Sequence, residues 1–325
     1  MRRRRKTRSR WRLIPLTSLM IFAICLAALR MMPDEVVLSD DTSATLFPNA
    51  PDLVRDIAET GLPSETMAQK AAIKEIIAES EASAEVFIQN LTDFDINMTD
   101  LLKNYAPVTL TEKGVQVLIV HTHGSESYAP SPAYQFEYTE NDRTLDTSFN
   151  VVRIGDELEK ILETKGIDTL HVRDIFDSPS YSGSYSRSLD AITAAFKEHP
   201  SIKVVIDIHR DAMIAKDGTK YKVTADIDGR SAAQLMFVTG TSGGGLSHEK
   251  WQENLAFHGT IQREMNARYP GIMRPIILRD SRFNQHVCTG SMLLEVGTSG
   301  NTLDEALYSI ELFGEVLGDM LGKEQ

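Results

Sequence analysis

Three separate stretches of this 325-residue chain are short runs made mostly of apolar residues. They read VQVLIV at 115–120, KVVIDI at 203–208 and SMLLEV at 291–296. Runs of this length that are apolar on both faces are typical of strands buried on both sides of a parallel sheet. Parallel neighbours need long crossover connections, which are usually helices. The three runs therefore limit this part of the chain to an α/β architecture.

The segments between these runs carry apolar residues at helical spacing. The patterns predict helices over 148–165 and 187–199, a third from Ser247 to about residue 269, and a fourth that opens with the capping box Thr302-x-x-Glu305. Strands that alternate with helices indicate a mostly parallel sheet with helices on both faces. We therefore predict one α/β domain over 110–325.

The N-terminus is strongly basic, with nine Lys and Arg and no acidic residue in the first 30 positions. Residues 13–29 carry no charge at all. Arginines stay on the cytoplasmic side of an inserted helix, and about 20 residues are needed to span a bilayer. We predict that 1–12 is a cytoplasmic basic segment and that 13–32 is a single-pass transmembrane signal anchor. The rest of the chain is then expected to be extracytoplasmic.

Residues 33–109 are predicted to form an acidic linker. Prolines punctuate its first half, and an Ala-, Glu- and Lys-rich stretch predicts one helix at about 65–92. Beyond residue 30 the chain has 25 basic against 46 acidic residues, an unsuitable balance for binding nucleic-acid phosphates. With two cysteines in all, the chain is not a disulfide scaffold.

Polar side chains suited to catalysis occur at the ends of the apolar runs. His121 and His123 follow the first run, His209 follows the second, and Glu295 lies near the end of the third. Ligands of open α/β sheets bind beyond the carboxyl ends of the strands. The sequence therefore predicts that these side chains meet in one site.

The residue types in this predicted site favour a zinc centre. His121 and His123 are two positions apart, so an extended backbone points both to the same face, and Glu126 offers an oxygen ligand nearby. A catalytic zinc takes three ligands from His, Asp or Glu and keeps a water in the fourth position. Glu295 is costly to bury without a partner, and it is predicted to accept the proton of that water. Candidates for a substrate groove are Arg210, Asp211, Asn284 and Gln285.

Two other functions remain open on these residues. Gly240-Thr241-Ser242-Gly243-Gly244 matches the nucleophile motif of serine hydrolases, with Ser242 as the nucleophile. The residues after it are small and flexible, whereas a nucleophile elbow enters its helix at once. The second alternative is a non-catalytic binding module in which the ligand set has decayed.

Several segments together resemble the stage II sporulation protein P family. They read VLIVHTHGSESY, NVVRIGDEL, SYSRSLD, VVIDIHRDA and SMLLEVGTSGNTLDEA, and they occur in the expected order across about 110–323. The domain is more distantly similar to zinc-dependent N-acetylmuramoyl-L-alanine amidases. The resemblance implies a zinc amidase-like fold with a membrane anchor and a linker before it.

The amidase resemblance also implies a Zn²⁺ ligand set. It assigns His123 as the first ligand, His209 as the third and Glu295 as the catalytic glutamate. The second ligand falls by spacing on Asp146, while Glu126 is the alternative that we slightly favour. His121 remains a candidate for a ligand or for a residue that orients one.

The family resemblance further implies an activity and its partners. It indicates hydrolysis of the amide between N-acetylmuramic acid and L-alanine in peptidoglycan, together with endopeptidase activity on cross-links. It also implies action during engulfment at the sporulation septum, alongside the sporulation proteins D and M.

Overall fold

The computed structural model describes residues 36–38, 72–78, 85–110, 113–136 and 141–322. The predicted basic segment 1–12 and the predicted anchor 13–32 lie outside the described residues. Within the described part, no helix combines the length and the apolar character needed to cross a membrane. The predicted membrane localisation is therefore corrected, because it has no support in the part of the chain that the structure describes.

The described residues form two sheets and five α-helices. The strands are β1 (Val36–Leu38), β2 (Ile73–Ile77), β3 (Ile88–Asn90), β4 (Val117–Val120), β5 (Thr169–His171), β6 (Val204–Asp211), β7 (Met213–Ala215), β8 (Lys220–Ile227), β9 (Arg230–Ala233), β10 (Leu235–Gly240), β11 (Ile276–Arg279) and β12 (Gly290–Thr298). The helices are α1 (Met98–Asn104), α2 (Val151–Thr164), α3 (Ser184–Glu198), α4 (Trp251–Arg268) and α5 (Leu303–Leu321). A short 3₁₀ helix spans Gln285–Val287.

The large sheet has seven strands in the order β3-β11-β10-β12-β6-β4-β5. All neighbouring pairs are parallel except β10 and β12, which run antiparallel. The three apolar runs supply β4, β6 and β12, which are adjacent in the sheet. The prediction of a mostly parallel sheet is confirmed for the strands that carry the candidate residues.

Alternate side chains of the central strands face opposite helical layers, as the two-residue period of a strand requires. Leu118 and Val120 of β4 pack with Ile192 of α3 on one face. Val117 and Ile119 join the larger core, to which α2, α4 and α5 contribute. Helices therefore cover both faces, and the sheet is buried on both sides.

The second, smaller sheet was not predicted from the sequence. Its order is β1-β7-β8-β2, and β9 pairs with β8. A hairpin turn at Asp228 and Gly229 joins β8 to β9, and both residues have positive φ, as a type I′ turn requires. Only Ala212 separates β6 of the large sheet from β7 of the small one.

The predicted linker helix at about 65–92 is wrong within the described residues. Ile73–Ile77 instead forms β2, parallel to β8, and Ile88–Asn90 forms β3 at the edge of the large sheet. Pairing with strands distant in sequence has overridden the helix propensity of this composition.

The ends of the last two helices differ in how well the sequence predicted them. Thr302 and Glu305 form the predicted reciprocal capping box at the start of α5. Helix α4, in contrast, starts at Trp251 with Lys250 as its N-cap, so the predicted cap at Ser247 is wrong.

Candidate metal centre

Three buried side chains converge at the carboxyl ends of β4 and β6. His123 and Glu126 lie on the turn that follows β4, and His209 lies near the end of β6. One potential ligand atom from each lies within 4.8 Å of those from the other two. The structure therefore brings together three of the residues singled out in the sequence.

The carboxylate of Glu126 lies between the two imidazoles. Its Oε1 is 3.6 Å from Nδ1 of His123, and its Oε2 is 3.5 Å from Nδ1 of His209. Burial opposes ionisation of Glu126, yet hydrogen bonding to the two histidines holds its pKa well below the usual value. Two imidazoles and one ionised carboxylate form a donor set that zinc accepts.

The carboxylate of Asp207 contacts the imidazole of His209. The sequence analysis did not identify this residue. Its Oδ1 lies 3.1 Å from Nε2 of His209. The same carboxylate accepts hydrogen bonds from Thr122, at 2.8 Å from the backbone nitrogen and 2.6 Å from Oγ1. A carboxylate behind a histidine is the usual means of fixing the tautomer of a metal ligand. An acid within the apolar run KVVIDI was the available signal, since the same argument had selected Glu295.

Glu295 is directly opposite His209 in the parallel pairing of β12 with β6. Its Oε2 is buried and has no hydrogen-bond partner among the described residues. Burial, together with the charges of Asp211 and Glu126, raises the pKa of Glu295 well above its usual value. A carboxyl with a raised pKa is suited to take up a proton and later release it.

His121 turns away from the three converging side chains. Its Nδ1 is 3.2 Å from the carbonyl oxygen of Ile208, and its Nε2 is 2.7 Å from Nε2 of His171. The prediction that His121 and His123 share a face assumed an extended backbone, but β4 ends at Val120 and a turn follows. Burial lowers the pKa of His121 to about 4.

Asp146 lies apart from the converging side chains. It is exposed, and its Oδ1 accepts a hydrogen bond from the backbone nitrogen of Ser148 at 3.0 Å. Of the two candidates for the second ligand, the geometry brings only Glu126 to the histidines.

Two of the candidate groove residues are buried and form hydrogen bonds with the backbone. Arg210 is buried, and its guanidinium donates to the carbonyl oxygens of Ser127 and Asp142 at 3.0 and 2.8 Å. Gln285 is also buried and bonds the backbone of β10 at Val238 and Gly240. Both side chains are held in these contacts, and their assignment to a substrate groove stays a prediction.

The other two groove candidates are Asn284 and Asp211, and each is hydrogen-bonded to a neighbouring residue. Asn284 lines a cavity of about 460 Å³, and its amide donates to the carbonyl oxygen of Tyr185 at 2.8 Å. Asp211 accepts a hydrogen bond from Nη1 of Arg274 at 2.8 Å.

Two tyrosines border the site and were not predicted as part of it. The ring of Tyr181 stacks on His123 with centroids 4.5 Å apart, and Tyr185 approaches the same imidazole edge-on at 5.5 Å. Both belong to the Ser- and Tyr-rich segment 178–188, in which α3 begins at Ser184.

The arrangement around Ser242 does not match a nucleophile elbow. Strand β10 ends at Gly240 and α4 begins at Trp251, so Ser242 lies in a loop between them. Because β10 is antiparallel to β12, Gly240 lies toward the start of β12, whereas Glu295 lies toward its end. The site with buried acid and imidazole groups is therefore elsewhere.

Comparison with known proteins gives the family. The model of a family described as stage II sporulation protein P matches residues 45–318. The chain belongs to this family. Stage II sporulation protein P of Bacillus subtilis (strain 168) is 28% identical over 272 residues, which cover 80% of this chain and 63% of that protein. The chain thus spans less than two thirds of the length of this curated relative.

Solved amidase structures show a weaker likeness. An N-acetylmuramoyl-L-alanine amidase from Clostridium difficile 630 is 15% identical, with a TM-score of 0.37 and coverage of 64% of this chain and 95% of that one. The amidase AmiC2 of Nostoc punctiforme is 15% identical, with a TM-score of 0.33 and coverage of 65% and 97%. Values this low do not bear on the roles of individual residues.

Proposed function

We propose that this chain is a zinc-dependent peptidoglycan hydrolase of sporulation, with residues 110–325 as its catalytic domain. The observation that carries the proposal is the buried set of His123, Glu126 and His209 beside Glu295. The bond cleaved is the amide between N-acetylmuramic acid and L-alanine. Membership of the stage II sporulation protein P family supports the substrate class and the setting.

The donor set fits zinc better than the other common metals. Calcium and magnesium prefer sites made wholly of oxygen, whereas imidazole nitrogen with one carboxylate suits zinc. His123, Glu126 and His209 would hold the ion. Zinc bound there would polarise the scissile carbonyl and lower the pKa of a water molecule.

Glu295 is the proton carrier in this proposal. Its carboxylate takes a proton from the attacking water as the oxygen of that water bonds to the amide carbon. Glu295 then gives the proton to the nitrogen of L-alanine as the carbon–nitrogen bond breaks, which leaves a carboxylic acid and a free amine. A raised pKa suits a group that must both accept and donate a proton.

Asp207 acts through His209 and does not touch the substrate. Its carboxylate faces Nε2 of His209, while Nδ1 of the same ring faces Glu126. Asp207 therefore keeps the imidazole oriented with Nδ1 toward the other two ligands.

We also propose the finer features that the family resemblance suggests. These are endopeptidase activity at peptide cross-links and cooperation with the sporulation proteins D and M. The same hydrolytic groups would serve both activities, since each breaks an amide by adding water.

Digestion of purified peptidoglycan tests the proposal. We expect the full chain to release stem peptides with new N-terminal alanine, detected by mass spectrometry of the soluble products. Glu295→Gln should lower the rate by about 10²- to 10⁴-fold and leave zinc content unchanged, because Gln cannot carry the proton. Glu253→Gln, at an exposed acid of α4, is the matched control.

The alternatives predict different results in the same assay. A serine hydrolase would react with a fluorophosphonate at Ser242 and would resist chelators. A wall-binding module would bind peptidoglycan without releasing peptides. Wild-type activity in Glu295→Gln would exclude the zinc mechanism as proposed here.

A further inference from the structure

A second group of ligand-type side chains lies between α2 and β5. Asp156 and Glu159 are three residues apart on α2 and so share a face of the helix, and His171 is the last residue of β5. Their potential ligand atoms all lie within 4.8 Å of one another. Nδ1 of His171 is 3.3 Å from Oδ1 of Asp156 and 3.7 Å from Oε2 of Glu159.

The hydrogen bonds of the neighbouring His121 determine which ring nitrogens of His121 and His171 carry a proton. Nδ1 of His121 faces the carbonyl oxygen of Ile208, which can only accept, so this nitrogen carries a proton. His121 is fully buried, and a charged imidazole there would be costly. In the neutral ring Nε2 is therefore an acceptor.

The proton of His171 follows from the same chain of contacts. Its Nε2 lies 2.7 Å from Nε2 of His121 and must donate to it. Neutral His171 then has no proton on Nδ1. That nitrogen is an acceptor aimed at two carboxylates, which are also acceptors.

No hydrogen bond among the described residues supplies a donor to Nδ1 of His171. The side chain of His171 has no exposed surface, and its Nδ1 has no hydrogen-bond partner among the described residues. Arg173 donates to Asp156 at 2.8 Å and to Glu159 at 2.5 Å, and its side chain is half exposed. Arg173 thus pairs with both carboxylates, one positive charge against two negative, and leaves the imidazole nitrogen unsatisfied.

We propose that Asp156, Glu159 and His171 form a second divalent-metal site, suited to zinc or a similar transition-metal ion. One imidazole nitrogen and two carboxylate oxygens are a ligand set of this class, and the bare Nδ1 is in the state that binds a metal. Arg173 occupies the carboxylates when the metal is absent. This site does not depend on the function proposed above, since it shares no ligand with the first set.

The two sites are linked through backbone and imidazole contacts. His171 holds His121, and His121 donates to the carbonyl of Ile208, the residue before His209. A metal on Nδ1 of His171 would leave the proton of this ring on Nε2, in the tautomer that donates to His121.

Metal content of the purified full chain tests the proposal. Bound zinc would be measured by mass spectrometry after removal of free metal. The absorption of the cobalt-substituted protein would report metal binding independently. Wild type should bind about two ions per chain. His209→Ala and Glu159→Gln should each retain one, and the double variant should retain none.

Matched variants separate a metal site from an ion pair. Glu157→Gln alters the adjacent acid of α2, which pairs with Arg153 and Lys160, and it should bind as much metal as wild type. Arg173→Gln removes the competing cation and should tighten binding at the second site. Asp156→Asn provides an independent variant should Glu159→Gln fold poorly by circular dichroism.

The outcomes distinguish this inference from the proposed function. Zinc content in Glu159→Gln and Asp156→Asn equal to that of wild type would overturn the second site. Loss of the only bound ion in His209→Ala would overturn it as well. Metal that remains in His209→Ala but is lost in the double variant would support it, even if the chain hydrolysed no peptidoglycan.

Discussion

Glu295 and His209 face each other as register partners on the adjacent parallel strands β12 and β6. The position of the carboxyl relative to the imidazole is therefore fixed by the sheet and not by a loop. A slip of one residue would move every side chain of β12 to the opposite face. In the proposed mechanism, the register of this strand pair holds the proton carrier beside the ligand.

We predict that Asp207→Asn weakens zinc binding at the first site by about 10- to 100-fold. Asparagine fills the same volume, but its amide lacks the charge that orients and polarises His209. Competition with a chelator measures the affinity. Asp190→Asn, at an exposed acid of α3, should leave it unchanged. An unchanged affinity in Asp207→Asn would show that Asp207 has no part in orienting the ligand.

The second ligand can be assigned by paired substitutions. We expect Glu126→Gln to lose the zinc of the first site and the hydrolytic activity, because the carboxylate between the two histidines is replaced. Asp146→Asn should keep both, since this exposed side chain only caps a turn at Ser148. Zinc analysis and peptidoglycan digestion give the readouts. The reverse pattern would assign Asp146 instead.

Gly155 is predicted to be needed where it stands, although glycine is unfavourable inside a helix. A Cβ there would lie 2.5 Å from Nε2 of His171 and 2.7 Å from Nε2 of His121. Gly155→Ala should lower the free energy of unfolding by about 1–3 kcal/mol, as overpacking does.

Urea denaturation measures this effect, and Gly318→Ala is its control. A Cβ at Gly318 meets only Cγ and Cδ of the flexible Lys165 side chain at close range, so alanine should be tolerated there. Equal stability of the two variants would show that the imidazole pair can move aside.

Glu305 is expected to make the free energy of unfolding fall as the pH is lowered into the acid range. Burial opposes its ionisation, but hydrogen bonds from Lys222, Asn301 and the backbone of Thr302 lower its pKa below the usual value. A lowered pKa means that this stabilisation is fully present above the ordinary glutamate pKa and is lost as pH falls through the folded-state value.

Thermal unfolding between pH 3 and pH 7 measures this contribution, which should be about 1–2 kcal/mol at neutral pH. Glu305→Gln should be less stable at pH 7 and should approach wild type at the acid end. Glu311→Gln, at an exposed position of α5, should follow wild type throughout. A constant difference between Glu305→Gln and wild type at every pH would contradict the assignment.

The sequence predicted those parts of the molecule that local patterns determine. The apolar runs predicted β4, β6 and β12. The polar residues at the ends of the first two runs identified His123, Glu126 and His209 as candidate ligands. The capping box at Thr302 was predicted for the same reason, since neighbouring residues alone form it. These features need no knowledge of distant contacts.

Features that depend on distant partners were not predicted. Ile73–Ile77 became a strand because β8, far along the chain, pairs with it. His121 does not join the other predicted ligands, because the backbone turns after Val120. Its ring instead forms a hydrogen bond with His171. Asp207 could have been found, because burial of an acid in an apolar strand demands a partner.

The single residue between β6 and β7 has a consequence for local opening of the fold. His209 lies on the strand that continues through Ala212 into the small sheet, and Asp211 still pairs with Thr298 of β12. Neither sheet can then open locally without displacing the ligand strand. We therefore expect the amides around His209 to exchange with the slowest, globally unfolding class in native-state hydrogen exchange.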